Sequence, residues 1–192
     1  LADDEIRLLA AQNRYEQHSK NSSSSFSIGV SWGTSGLRVN GSASRGQGKA
    51  DGNDVAWSNT HVQAGDTLTL IAGGDTTLMG AVAGGRKVLA AVGGDLILES
   101  LQDTSSYHSS QKSAGFSFSV GFGKGSASAS AAGSKIDSHY RSVVERTGLL
   151  AGDGGFDVRV KGDTTLTGAV IASTDAAVQA NRNRFDTGVG WK

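Results

Sequence analysis

Four short phrases of one type crowd the stretch from Ala64 to Leu98. They are Ala64-Gly65-Asp66-Thr67-Leu68-Thr69-Leu70, Gly73-Gly74-Asp75-Thr76-Thr77-Leu78, Gly84-Gly85-Arg86-Lys87-Val88-Leu89 and Gly93-Gly94-Asp95-Leu96-Ile97-Leu98. Their second glycines step by 9, 11 and 9 residues, so two phrases make a unit of 20. A Gly/Asp turn followed by a short alternating apolar run, repeated at this period, marks a β-solenoid. One unit cannot bury its apolar row alone, and stacked units share a continuous core. The reading predicts Leu68, Leu70, Leu78, Val88, Ile97, Leu98, Val158, Val160 and Leu166 facing inward.

Glycine-rich disorder is the competing reading, with 28 Gly in 192 residues and only 37% hydrophobic residues. The placement of the glycines argues for order, because they fall at turns with Leu, Val, Ile and Thr between them. Acidic and basic residues number 18 each and are interspersed, so no basic stripe is present for nucleic acid. Cysteine is absent, which removes disulfides, thiolate chemistry and Cys-based metal sites. Proline is absent too, as suits strands paired on both edges. The chain opens inside a repeat, where Asp4-Glu5-Ile6-Arg7-Leu8-Leu9-Ala10 follows the pattern of Asp66-Thr67-Leu68-Thr69-Leu70-Ile71-Ala72.

A longer duplication overlies the short one. Ser25-Phe26-Ser27-Ile28-Gly29-Val30 returns as Ser117-Phe118-Ser119-Val120-Gly121-Phe122 at an offset of 92, and Gly74-Asp75-Thr76-Thr77-Leu78 returns as Gly162-Asp163-Thr164-Thr165-Leu166 at 88. The chain reads as a single β-helix fragment over residues 1–192. A first module covers residues 11–100 and a second covers 101–180. Residues 181–192 read as the start of a third, because Phe185 to Trp191 echo Phe26 to Trp32. A lone strand there is expected to fray or to pair edge to edge with another copy of the fragment.

Each module also carries a different kind of strand. Phe26, Ile28, Val30 and Trp32 alternate with Ser27, Gly29 and Ser31; Phe116, Phe118, Val120 and Phe122 repeat the device before a Ser/Ala alternation from Ser126 to Ala131. Alternation around a Gly-containing connection predicts a β-hairpin standing outside the solenoid. Two roles fit its apolar face: covering the solenoid flank, or contact with a membrane, glycan or partner chain. The candidate contact residues are Phe26, Ile28, Val30, Trp32, Phe116, Phe118 and Phe122.

No catalytic, cofactor or metal site is expected. His18, His61, His108 and His139 lack metal-ligand spacing, and Asp66, Asp75, Asp95, Asp153 and Asp163 follow Gly at turns, where Asp bonds nearby backbone. The run Ala151-Gly152-Asp153-Gly154-Gly155-Phe156-Asp157 is similar to calcium-binding Gly/Asp nonapeptides but stands alone.

The Gly-Asp-Thr-Leu-Thr-Leu rungs resemble the repeats of filamentous-haemagglutinin-type exoproteins secreted by the two-partner route. Ala10-Ala11-Gln12-Asn13, Gly48 to Val55, Glu99 to Thr104, Ser134 to Ser138 and Gly168 to Asp175, in that order, are similar to the second haemagglutinin-repeat region of CdiA-type contact-dependent growth-inhibition effectors. The resemblance spans essentially the whole chain. It implies a right-handed parallel β-helix with extra-helical hairpins, Gram-negative origin, and secretion through a two-partner outer-membrane transporter to the cell surface. It further implies a non-enzymatic stalk that meets the target-cell outer membrane or a surface component and helps deliver a C-terminal toxin. The alternatives are a plain adhesin, or a polysaccharide-binding or pectate-lyase-like β-helix. The last would need acids and a Lys or Arg gathered on one lateral face, whereas Arg86, Arg141 and Arg159 share no register.

Overall fold

Strands account for nearly all regular structure in the computed structural model, which describes residues 1–34 and 36–188. In chain order they are β1 (Ile6–Leu9), β2 (Ala11–Gly33), β3 (Gly36–Ser58), β4 (Thr60–Gln63), β5 (Thr67–Ala72), β6 (Thr76–Met79) and β7 (Ala81–Val92). There follow β8 (Leu96–Glu99), β9 (Asp103–Gly121), β10 (Lys124–Ser142), β11 (Gly148–Val160), β12 (Thr164–Thr167), β13 (Val170–Ala172), the short helix α1 (Asp175–Gln179) and β14 (Arg184–Thr187). The chain divides into a rung unit (Leu1–Asn13, Val55–Thr104 and the chain from Arg141 onward) and a sheet unit (Arg14–Asp54 and Ser105–Tyr140).

In the rung unit the four phrases sort into two ladders. The first and third pair in parallel, Leu68 with Val88 and Leu70 with Ala90. The second and fourth do the same, Leu78 with Leu98. Each step advances the chain by 20 residues, as the glycine spacing predicts. The ladders continue across long excursions: Val88 pairs with Phe156, Leu98 with Leu166 and Leu8 with Leu78, all in parallel. Leu68, Leu78, Val88, Leu98, Val158 and Val160 are buried in one cluster, with Leu70 and Leu166 packed against it.

Ile97 departs from the expectation. In β8 the side chains of Leu96 and Leu98 are buried and Ile97 is not. Successive residues of a strand point to opposite sides, so adjacent Ile97 and Leu98 cannot both face the core. The N-terminal register also differs from the sequence alignment. Ile6 pairs with Thr76 rather than matching Leu68, so β1 stacks on the second phrase of the unit.

Three of the turn carboxylates, Asp66, Asp75 and Asp95, reach across to a neighbouring rung. Asp75 Oδ1 accepts the backbone N–H of Asp95 at 2.8 Å, and Asp95 Oδ1 accepts that of Asp163 at 2.8 Å. Each carboxylate thereby holds the next rung's turn. Asp66 meets Arg86 one rung away, and the guanidinium hydrogen bond holds the Asp66 carboxyl below the usual carboxylate range. The isolated Gly/Asp run at 151–157 is a bulge: the register of β11 against β7 shifts between Ala151 and Gly155, and Gly155 takes φ +69°.

Buried polar groups tie the second excursion to the stack. The chain leaves after Ser100 and returns at Thr147, whose N–H donates to Ser100 Oγ at 2.8 Å. Thr147 Oγ1 donates to the Glu99 carbonyl at 2.7 Å, and Ser100 Oγ to the Gly168 carbonyl at 2.8 Å. At the other end, β14 pairs in parallel with β11, Phe185 opposite Val158, and Phe185 packs on the core. The segment echoing Phe26 is therefore a rung strand over Arg184–Thr187, and Gly190 and Trp191 lie outside the described residues.

The sheet unit holds one four-stranded sheet in the order β10, β9, β3, β2. Both predicted hairpins are present, β2 with β3 and β9 with β10. They reach far beyond the apolar alternation, with strands of 23 and 23 residues and of 19 and 19. Side-chain pairs fix the registers. Ser25 meets Ser44 and Ser27 meets Ser42 within the first hairpin. Ser117 meets Ser128 within the second, and Ser119 donates to Asn40 where β9 joins β3. Partner numbers fall as strand numbers rise, so all three junctions are antiparallel.

Candidate functional site

Those registers assign every strand residue to one of two faces. Rows across the sheet run Phe26, Ala43, Phe116, Ala129; then Ile28, Gly41, Phe118, Ala127; then Val30, Val39, Val120, Gly125; then Trp32, Leu37, Phe122. All are apolar. The opposite face over the same length carries Ser25, Ser27, Ser42, Ser44, Asn40, Ser117, Ser119 and Ser128, several of them hydrogen-bonded across strands. Period-two alternation in each strand, kept in register over four strands, thus yields one apolar and one small polar face.

The seven candidate contact residues come together on this apolar face. Among the described residues of the sheet unit no second layer covers it: Phe26 is 74% exposed, Trp32 80% and Phe122 91%, and Ile28, Val30 and Phe116 are exposed too. Phe118 is the half-buried member, its ring lying over Gly41 of β3 and tilted against Phe116 with centroids 6.2 Å apart. The offset of 92 in the sequence sets Phe26 against Phe118, but the sheet sets Phe26 in the row of Phe116 and Trp32 in that of Phe122, an offset of 90.

Further along the same face the apolar rows give way to charge. One row reads His18, Asp51, His108, Asp137, an alternation of imidazole and carboxylate over all four strands. His18 Nδ1 lies 2.8 Å from Asp51 Oδ1, and His108 contacts Asp137 directly. The hydrogen bond to His18 draws the Asp51 carboxyl below its ordinary value, with a smaller electrostatic contribution from His108. The hydrogen bond to His108 does the same for Asp137, and His139 adds to it. Spacing along the chain assigns these histidines no metal-binding role and does not reveal the pairs. The signal lay in the module offset, since His18 and His108 are 90 residues apart, like Phe26 and Phe116.

In the rung unit His61 Nε2 lies 2.8 Å from Glu145 Oε1, which raises the His61 pKa. Asp153 of the Gly/Asp run accepts from Thr174 Oγ1 at 2.7 Å. Among the described residues no group of three or more His, Cys, Asp or Glu is arranged to hold a metal ion. No helix among them is long and apolar enough to cross a membrane.

Known proteins share this arrangement at the level of sequence. The chain is 45% identical over 189 residues to the deoxyribonuclease CdiA of Dickeya dadantii (strain 3937), covering 95% of this chain and 6% of that protein. It is 42% identical over 193 residues to the tRNA nuclease CdiA of Escherichia coli (strain NC101), covering 97% of this chain and 6% of the relative. The deoxyribonuclease CdiA of Yersinia pseudotuberculosis serotype O:3 (strain YPIII) is 43% identical over 186 residues, 96% of this chain and 17% of the relative. The chain thus spans a small part of these proteins, about 6% of the first two. No solved structure matches. The matched part is a repeat region. The model of the hemagglutinin repeat covers residues 1–114 and again 107–184, one copy for each hairpin with its rungs, and the chain belongs to that family.

Proposed function

We propose that this chain is a stalk and translocation segment of a secreted, surface-presented effector, and that its sheet tip meets the outer membrane of a target cell. In this reading the parallel ladders form a right-handed parallel β-helix that carries the hairpins of two modules, residues 11–100 and 101–180. The arm serves adhesion and the delivery of a C-terminal toxin. Export runs through a two-partner outer-membrane transporter, and the chain itself performs no catalysis. The family and the relatives named deoxyribonuclease and tRNA nuclease CdiA support this placement.

The observation that carries the reading is the uncovered apolar face of the sheet. Exposed apolar patches of this extent mark interaction surfaces. From Phe26 to Trp32 the apolar band is about 20 Å long at roughly 3.4 Å per residue. That is comparable with the ~25 Å apolar belt of outer-membrane strands, whose other face is polar as the Ser face is here. Phe26, Ile28, Val30, Trp32, Phe116, Phe118 and Phe122 are the proposed lipid-contacting side chains.

Liposome flotation tests it. The wild-type chain should float with vesicles, and the variant with Phe26, Trp32, Phe118 and Phe122 all changed to Ser should stay at the bottom of the gradient. Equal flotation of the two would remove these side chains from the mechanism.

A further inference from the structure

Acids and bases are interspersed along the chain, but the pleat and the registers of the sheet sort them by face. On the apolar face, between the row of Phe26 and the row of His18, lie the rows of residues 24, 22 and 20 of β2. They hold Arg45, then Lys112, then Lys20, Lys49 and Lys135. Their other members are Ser, Gln, Ala and Gly, with no carboxylate among them, and the opposite face over the same stretch carries no charged residue. We propose that these five cations bind the phosphates of net-anionic lipid headgroups. The proposal rests on the reading in which the apolar rows enter a membrane, and it names the lipid which that face selects.

The cations are free to take such a ligand. All five are exposed, and among the described residues none of them forms an ion pair. Elsewhere the chain neutralises its cations within a strand: Arg14 meets Glu16, Arg159 meets Asp157 and Arg184 meets Asp186. The first carboxylates further along the face, Asp51 and Asp137, are held by His18 and His108. Arg45, Lys49 and Lys112 stand on β3 and β9, the strands flanked on both sides, so the interior of the sheet sets the patch. Lys20, Lys49 and Lys112 line one shallow groove of about 510 Å³ with Ser22, Gln47 and Ser110, which can donate to the same phosphate oxygens.

Continuity with the apolar band decides for a lipid. The headgroup zone adds roughly 5–8 Å to each side of a membrane's hydrocarbon core. At about 3.4 Å per residue, the Arg45 row lies about 7 Å beyond the Phe26 row and the Lys112 row about 14 Å beyond it. With the apolar rows in hydrocarbon, Arg45 falls among the phosphates, and Lys112 reaches back to them on its apolar stem. The row of Lys20, Lys49 and Lys135 is about 7 Å further out. Its lysine stems bring those charges to within about one screening length of the phosphate layer, about 8 Å at physiological salt. A soluble anion would gain nothing from the adjoining apolar rows, whereas a lipid meets both at once.

The chain as a whole carries no formal net charge, so a preference for anionic vesicles must come from a local patch. Flotation is compared on vesicles of phosphatidylcholine alone and of phosphatidylcholine mixed with phosphatidylglycerol, in slightly alkaline buffer where imidazoles are uncharged. Wild type should partition more strongly onto the mixed vesicles, and added salt should shrink the difference. Each cation close to an anionic surface strengthens binding roughly fivefold. Arg45→Gln/Lys49→Gln/Lys112→Gln should therefore lose about 10- to 100-fold on the mixed vesicles. On phosphatidylcholine alone it should float as wild type does. Arg38→Gln/Lys124→Gln, on the opposite face, should change little.

Four results would each overturn the proposal. They are equal wild-type partitioning on both vesicles, a triple variant that keeps the preference with its sheet amides protected from hydrogen exchange, an equal loss in the opposite-face variant, and displacement by inorganic phosphate at constant ionic strength. The membrane reading fails separately, if the variant with Phe26, Trp32, Phe118 and Phe122 changed to Ser floats with phosphatidylcholine as well as wild type.

Discussion

The ring of Phe118 fills the place that a side chain on Gly41 would occupy. This contact joins the two hairpins, since Gly41 belongs to β3 and Phe118 to β9. A side chain at Gly41 must push the ring aside, and overpacking of this kind costs roughly 1–3 kcal/mol. Gly41→Val should therefore loosen the junction between β3 and β9. Hydrogen exchange should quicken at residues 37–43 and 116–122 and stay unchanged in the rung strands.

The rung core should be far less tolerant than its outer side. Leu78 is fully buried against the cluster that also contains Leu98 and Val88. Leu78→Ala should cost about 2–5 kcal/mol, measured by denaturant unfolding. Ile97→Ala, on the opposite side of its strand, should cost about half of that or less, because less of its surface leaves water on folding. Equal losses would contradict the alternation in β8.

Much of the rung architecture was legible because each rung carries its own punctuation, a Gly/Asp turn and then Leu or Val at alternate positions. Ile97 misleads because the run Leu96-Ile97-Leu98 is apolar without a break, and only the strand's pleat decides which residues point inward. The hairpins were legible at their tips, where Phe and Ser alternate. Their lower halves were not: Arg14 to Asn21 and Lys49 to Asp54 carry charge and amide groups on both faces, so no hydrophobic periodicity betrays a strand there. The pairing of β3 with β9 is non-local, and only the return of His18 as His108, 90 residues on, carries a trace of it.

Carboxylates at the turns should act as clamps between rungs. Asp95→Ala keeps the bond that its own N–H donates to Asp75 but removes the acceptor for the N–H of Asp163. The loss should be about 0.5–1.5 kcal/mol, as for an ordinary hydrogen bond. Asp95→Asn, which retains a carbonyl oxygen, should recover most of it. Thermal unfolding of both variants checks the order.

The acid–base pairs should respond to pH with opposite signs. Glu145 raises the His61 pKa above 6.5, so the pair's contribution is full below that value and is lost as pH rises through the folded-state pKa. For Asp51 and Asp137, lowered from 3.8, the contribution is present above that value and is lost as pH falls through their depressed folded-state values. In an NMR titration, Glu145→Gln should return the His61 midpoint towards that of a free imidazole. His18→Gln should raise the Asp51 midpoint.

The stitch between Ser100 and Thr147 makes hairpin length a separate variable from rung register. The two hairpins already differ, with strands of 23 and 19 residues, yet the rung strands stay aligned, Leu78 to Leu98 to Leu166. Adding two residues to each strand of a hairpin would lengthen it by about 7 Å and leave every side chain on its original face. Adding one would turn the new portion over, Ser where Phe had been. Hairpin length can therefore drift between related proteins in steps of two residues per strand, while the rung ladders keep their twenty-residue step.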